Sequence, residues 1–106
     1  MNEIIDDISD KIFLKELRKE FIDTVNKNIS KLTDFYNSGS YPEMRAIIHD
    51  FKGTGGVFGY DRGAEIAGKL LKSIDSNENK QKSELCLLFI NYLNKVVLKE
   101  KSEENG

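Results

Sequence analysis

His49 is the only histidine in the sequence, and it stands in the stretch AIIHDFKGTGGVFG, residues 46–59, together with Lys52 and four of the chain's eight glycines. A neutral imidazole, with a reference pKa of about 6.5, carries a free lone pair near neutral pH and can accept a phosphoryl group without a separate base to activate it. On a helix, Lys52 three residues later and Arg45 four residues earlier would lie on one flank of the ring, where their charges would stabilise an anion attached to it. The chain carries no apparatus of its own for holding ATP and its metal, so a partner has to present the phosphoryl donor. Metal ligation is the weaker chemistry. The nearby acids Asp50 and Glu43 point well away from His49 on a helical wheel, and a lone histidine makes a poor metal site.

These residues need a rigid support, and the apolar pattern supplies one. Phe13, Leu17, Phe21, Val25, Ile29, Leu32 and Tyr36 recur at steps of three or four, which predicts one long amphipathic helix from about Ser9 to Tyr36. Asn37, Ser38 and Gly39 interrupt it. SYPE then offers Ser40 as N-cap, Glu43 to complete a capping box, and Pro42 in the first turn, where its missing N–H does no harm. The second helix, with Met44, Ile47, Ile48 and Phe51 inward, should end near Gly59. GYDRG supplies the next turn, with Asp61 as N-cap of a third helix whose inward residues are Ala64, Ala67, Leu70, Leu71 and Ile74. Beyond SIDSNEN, a fourth helix starts near Lys80 and carries Leu85, Leu88, Phe89, Tyr92, Leu93 and Val96. No stretch alternates as a strand would. Short connections favour antiparallel neighbours, so the expected fold is all-α, an antiparallel four-helix bundle. Ile4, Ile5 and Ile8 are available for a short extra N-terminal helix at one end. Residues 1–100 would form the bundle and 101–106 a frayed polar tail.

With His49 set at zero on a wheel of about 100° per residue, Ile47, Phe58, Phe51 and Met44 fall between about 160° and 220°. That side is core, so the imidazole stands on the solvent face. Its neighbours there are Gly53, Gly56, Ala46 and Pro42, all small or lacking reach. Glycine inside a helix costs roughly 1 kcal/mol relative to alanine, so the run needs a compensating reason. Gly55 falls toward the core, where it would let another helix pack closely. Gly53 and Gly56 fall on the histidine face, where they leave room for another macromolecule. The alternative is a helix that stops at Lys52, with GTGG as a loop. Thr54 is expected to bond back to the helix backbone, and Asp50 to lie on a solvated flank.

Composition removes several function classes. With 106 residues, 39% hydrophobic and 32% charged, the chain matches one helix-rich domain. No apolar run approaches the roughly 20 residues that span a bilayer, and MNEIIDDISD is acidic where a secretory signal is basic, so the expectation is a cytoplasmic protein with no membrane partner. The net charge of −2, with both signs interspersed, provides no cationic surface for nucleic acid. Cys86, the only cysteine, lies in the apolar run LCLLFI and reads as core. The absence of a further continuous apolar face favours a monomer. GAEIAGKL, residues 63–70, nearly spells a phosphate-binding loop but has Leu70 in place of the metal-binding hydroxyl and no strand before it. GTGGVFG likewise lacks the strand and helix context of a dinucleotide loop.

The stretch from His49 resembles the motif of the histidine-containing phosphotransfer (HPt) domain family, which reads His, any residue, Leu, Lys, Gly, a run of small residues, and Gly ten positions after the histidine. His49, Lys52, Gly53 and Gly59 match at the right spacing, and Phe51 stands in for the leucine. The resemblance implies that His49 is phosphorylated, on Nε2, by a phospho-aspartyl receiver domain or a kinase domain. It implies that Lys52 neutralises phosphoryl oxygens and that Gly53 keeps the face clear for the receiver's Mg²⁺-binding pocket. Arg45, Ala46, Gly53 and Gly56 would form the docking surface, with no cofactor bound by this chain and no ATP-dependent kinase activity. One departure is that Lys72 follows Leu71 where many members have an acidic residue, which bears on partner details. Two other readings stay open: a helical docking module that relays no phosphate, and the phosphotransfer domain of a chemotaxis-type kinase cut from a longer chain.

Overall fold

The computed structural model describes the backbone of residues 3–76 and 79–105 and the side chains of 13–76 and 80–103. Four helices follow one another, α1 (Glu3–Ser38), α2 (Tyr41–Val57), α3 (Asp61–Ser76) and α4 (Asn79–Asn105), and no strand occurs among the described residues. Each helix packs against its two neighbours around a ring, α1 on α2, α2 on α3, α3 on α4 and α4 on α1. Cross-helix pairs fix the directions. Arg18 meets Glu100 and Tyr36 meets Ser83, so α1 and α4 run antiparallel; Arg45 meets Asp75, so α2 and α3 do too. The fold is an all-α, up-and-down bundle.

The connections are short because two glycines end helices sharply. Gly39 and Gly59 take positive φ, 71° and 88°, a region that costs a residue with a Cβ. At each, the next two amides turn back onto the helix: Gly39 and Ser40 donate to Tyr36 and Phe35, and Gly59 and Tyr60 donate to Gly56 and Gly55. This pairing satisfies carbonyls that a helix end otherwise leaves open. It also explains why the expected capping box at Ser40 does not form. Ser40 holds the N-cap position but makes no side-chain bond to α2, because its backbone is committed to closing α1 and its hydroxyl meets Ser38 Oγ at 2.8 Å. Asp61, expected as an N-cap, is instead the first residue of α3, where its charge still suits the helix N-terminus.

Two other expectations change. No glycine or proline interrupts residues 3–38, so the first turns continue α1 instead of forming a separate helix; the side chains of Ile4, Ile5 and Ile8 lie outside the described ones. Phe13, expected to face the core, is 59% exposed. At 36 residues α1 is about twice as long as α2, and the α2–α3 turn meets it at Arg18, so the residues before Arg18 project past α2 and α3. At the other terminus α4 continues through the polar residues to Asn105.

Phe21, Leu32, Met44, Ile48, Phe51, Leu70, Phe89 and Leu93 are buried in the core, whereas Leu88, expected among them, lies exposed beside this face. Phe51 stacks on Phe21 and meets Phe89 and Tyr92 edge-on. Gly63 on α3 makes that aromatic layer possible: a Cβ there would lie 2.4 Å from Tyr92 Cε1 and 2.8 Å from Phe51 Cε1. Gly63→Ala is therefore expected to destabilise the bundle by about 1–3 kcal/mol through overpacking, read by urea unfolding; an unchanged midpoint would refute this packing.

Cys86 is buried, its Sγ 3.7 Å from Met44 Sδ, and burial pushes its thiol from an ordinary 9.0 up to about 11. The folded chain thus keeps a proton that the unfolded chain begins to lose near pH 9. This contribution to stability is complete below pH 9 and is lost as pH rises toward 11. Cys86→Ala is expected to show a shallower loss of stability over that interval than the unsubstituted chain, the half-buried Tyr41 and Tyr60, whose phenols burial also raises, contributing equally to both. Equal slopes in urea titrations at pH 8, 10 and 11 would count against it.

Candidate functional site

α2 buries Met44, Ile48, Phe51 and Gly55, and this spacing turns the opposite face to solvent. His49 is exposed on that face, as are Pro42, Ala46, Lys52, Gly53 and Gly56. α2 continues through GTGG to Val57, so the loop alternative is set aside. No hydrogen bond or ion pair engages the imidazole among the described residues.

The glycines divide as their wheel positions suggest. A Cβ on Gly53 or on Gly56 would meet nothing within 4 Å, whereas one on Gly55 would lie 2.9 Å from the Phe51 ring of its own helix. Gly55 therefore serves packing. Gly53 and Gly56 serve nothing inside the chain, and the surface around the ring is low and open. Val57, which sequence reasoning did not single out, belongs to the same surface: it is 77% exposed and falls about 80° from His49 on the wheel. Its apolar type in an otherwise glycine-rich exposed strip was the available signal.

The two cations expected beside the ring behave differently. Lys52 leans over α3, where Gly68 makes room for it; a Cβ at Gly68 would lie 3.6 Å from Lys52 Cε and 3.9 Å from Nζ. Arg45 remains on the exposed strip, but its guanidinium turns to α3 and forks onto Asp75, Nε to Oδ1 and Nη2 to Oδ2, each at 2.9 Å. These bonds hold the Asp75 carboxyl below its ordinary range and the guanidinium above its own. Arg45 thus ties α2 to α3. Sequence reasoning missed Asp75 because 30 positions separate the partners and only the packing register brings them together.

The end of α2 is held from the other side. Arg18 donates from Nη2 to the Phe58 carbonyl at 3.0 Å and from Nη1 to Tyr60 Oη and Glu100 Oε1, both at 3.1 Å. Tyr60 in turn donates to Glu100. Burial, then the bond to Glu100, raises the Tyr60 phenol above its ordinary value, so it stays a donor at neutral pH. A groove of about 710 Å³ lies between α1 and α4 and is lined by Lys15, Arg18 and Glu100 among others. His49 faces out on the α2–α3 side, away from it.

Thr54 Oγ1 donates to the Asp50 carbonyl at 2.8 Å, the expected back-bond. Residues 63–70 lie wholly within α3, so no phosphate loop exists there. No helix among the described residues is long and apolar enough to cross a membrane. The site is therefore an exposed imidazole on an open helix face, with Lys52 one turn further along the same helix. Such an arrangement can offer a nucleophile to a larger molecule but cannot envelop a small substrate. The family model of the Hpt domain matches residues 16–98. No curated protein and no solved structure matches the chain significantly.

Proposed function

The chain belongs to the Hpt domain family, and on that footing we propose that it carries a phosphoryl group on His49, exchanged with the aspartate of a response-regulator receiver domain. Domains of this family are phosphocarriers of two-component signalling, not kinases, and they work with receiver domains. One observation carries the reading to this residue: the only histidine is exposed, with no hydrogen bond or ion pair among the described residues, on a helix face where Gly53 and Gly56 leave open space.

Nε2 is the ring nitrogen farther from the backbone and the easier to reach. With the proton on Nδ1, the Nε2 lone pair attacks phosphorus in line with the aspartyl oxygen. The P–N bond forms as the P–O bond breaks, its electron pair leaves with the aspartate carboxylate, and the Nδ1 proton is free to pass to water. The reverse step returns the group to an aspartate. Lys52 offsets charge on the phosphoryl oxygens, while Gly53, Gly56 and Ala46, bordered by Arg45, let the receiver's pocket close over the ring. The receiver supplies the aspartate and Mg²⁺; this chain supplies the nucleophile, its positioning and a cation. Such partners would place the chain in the cytoplasm.

Incubation with a panel of phosphorylated receivers and Mg²⁺ tests this. The expected product is an acid-labile, base-stable label that maps to His49. A chain that binds receivers yet takes no label would be a docking module instead.

A further inference from the structure

We propose that Lys72, on α3, is a second cation for the phosphoryl group on His49, reaching it across the α2–α3 seam; this rests on the reading of His49 as phosphoacceptor. Two contacts fix the register of that seam. Arg45 is joined to Asp75, and Lys52 lies against Gly68. Seven positions along α2 thus match seven along α3 in the opposite direction. Four positions beyond the starting contact, each helix presents an exposed residue: His49 after Arg45, and Lys72 after Gly68. At 1.5 Å of rise per residue, His49 lies about 6 Å from the level of Arg45 and Lys72 about 4.5 Å from the level of Asp75, so the two are level to within about 1.5 Å. Both are exposed, while Ile48 and Leu71 beneath them are buried.

The charges around them leave Lys72 available. Asp75, three residues on and the nearest acid of its own helix turn, is taken by both arms of the Arg45 fork. Glu65 pairs with Lys69 at 3.3 Å. Among the described residues neither Lys52 nor Lys72 has an acidic partner. Arg45 therefore acts less as a phosphate ligand than as the group that removes Asp75 from the reach of Lys72. A phosphoryl group added to His49 is bracketed by Lys52 from its own helix and by Lys72 from the facing one, whose four-carbon stem can follow it.

Phosphoramidate tests this without a docked protein: its P–N bond breaks and ammonia leaves as the bond to His49 forms. Two quantities are read on the folded chain, the labelling rate and the ³¹P NMR titration midpoint of the phosphohistidine. The charged groups nearest that phosphoryl on the two helices are Arg45 and Lys52 of α2 and Lys72 and Asp75 of α3, while Asp50 points away from it. Lys72→Gln is expected to slow labelling about two- to fivefold and to raise the midpoint by about 0.3–0.5 pH unit, because an ammonium nearby favours the dianion. Lys72→Arg should restore most of both effects. If Lys72→Gln labels on His49 with unchanged rate and midpoint, Lys72 plays no such part and the phosphoacceptor reading stands. If the unsubstituted chain takes label on His49 neither from phosphoramidate nor from any receiver, the phosphoacceptor reading falls, and this one with it.

Discussion

His49→Gln should leave a chain that folds normally and takes no phosphoryl group. Glutamine has similar bulk, but its amide nitrogen lends its lone pair to the carbonyl and cannot displace an aspartyl phosphate. No second histidine stands in reserve. The loss of label is therefore expected to be complete, down to the background of a receiver that hydrolyses its own phosphate. Because His49 is exposed and makes no hydrogen bond or ion pair among the described residues, unfolding stability should change by no more than about 0.5 kcal/mol. Equal labelling of the variant and the unsubstituted chain would place the acceptor on another residue and end the proposal.

Gly53→Gln carries the second largest effect, and it separates docking from chemistry. A Cβ at this position meets nothing within 4 Å, and glutamine favours a helix over glycine by several tenths of a kcal/mol, so the variant should be slightly more stable. Its side chain nonetheless stands one turn from the ring, where the receiver has to close. A displacement of about 1 Å between reacting atoms can cost on the order of a hundredfold, so transfer from a phosphorylated receiver should slow by about 10- to 100-fold. Labelling by phosphoramidate, which needs no docking, should change little. Stopped-flow transfer at a series of receiver concentrations checks this. If the receiver transfers to Gly53→Gln at an undiminished rate, the docking surface lies elsewhere.

The outward direction of His49 was legible because a period of 3.6 converts sequence spacing into a face, and Met44, Ile48 and Phe51 are indeed buried on the other side. The division of the glycines was legible for the same reason. Spacing along one helix says nothing about the partner across a seam, so neither the Arg45 fork onto Asp75 nor the place Gly68 makes for Lys52 was within reach. Phe13 shows a related limit. It lies on the expected stripe of α1, but whether a stripe is covered depends on the length of the neighbouring helices. Ser40 shows a third: its type suited a helix start, while the end of α1 claimed the same backbone first.

The carbonyl of Phe58, held by Arg18 from a different helix, has a consequence for how partners are chosen. Together with the closed turn at Gly39 and the fork onto α3, it fastens α2 near both ends and along its flank. A visiting domain therefore encounters a contour settled before contact, and little of its binding free energy is spent on ordering this chain. Discrimination then falls to shape and charge match at first encounter, and a poorly fitting receiver gains nothing by lingering.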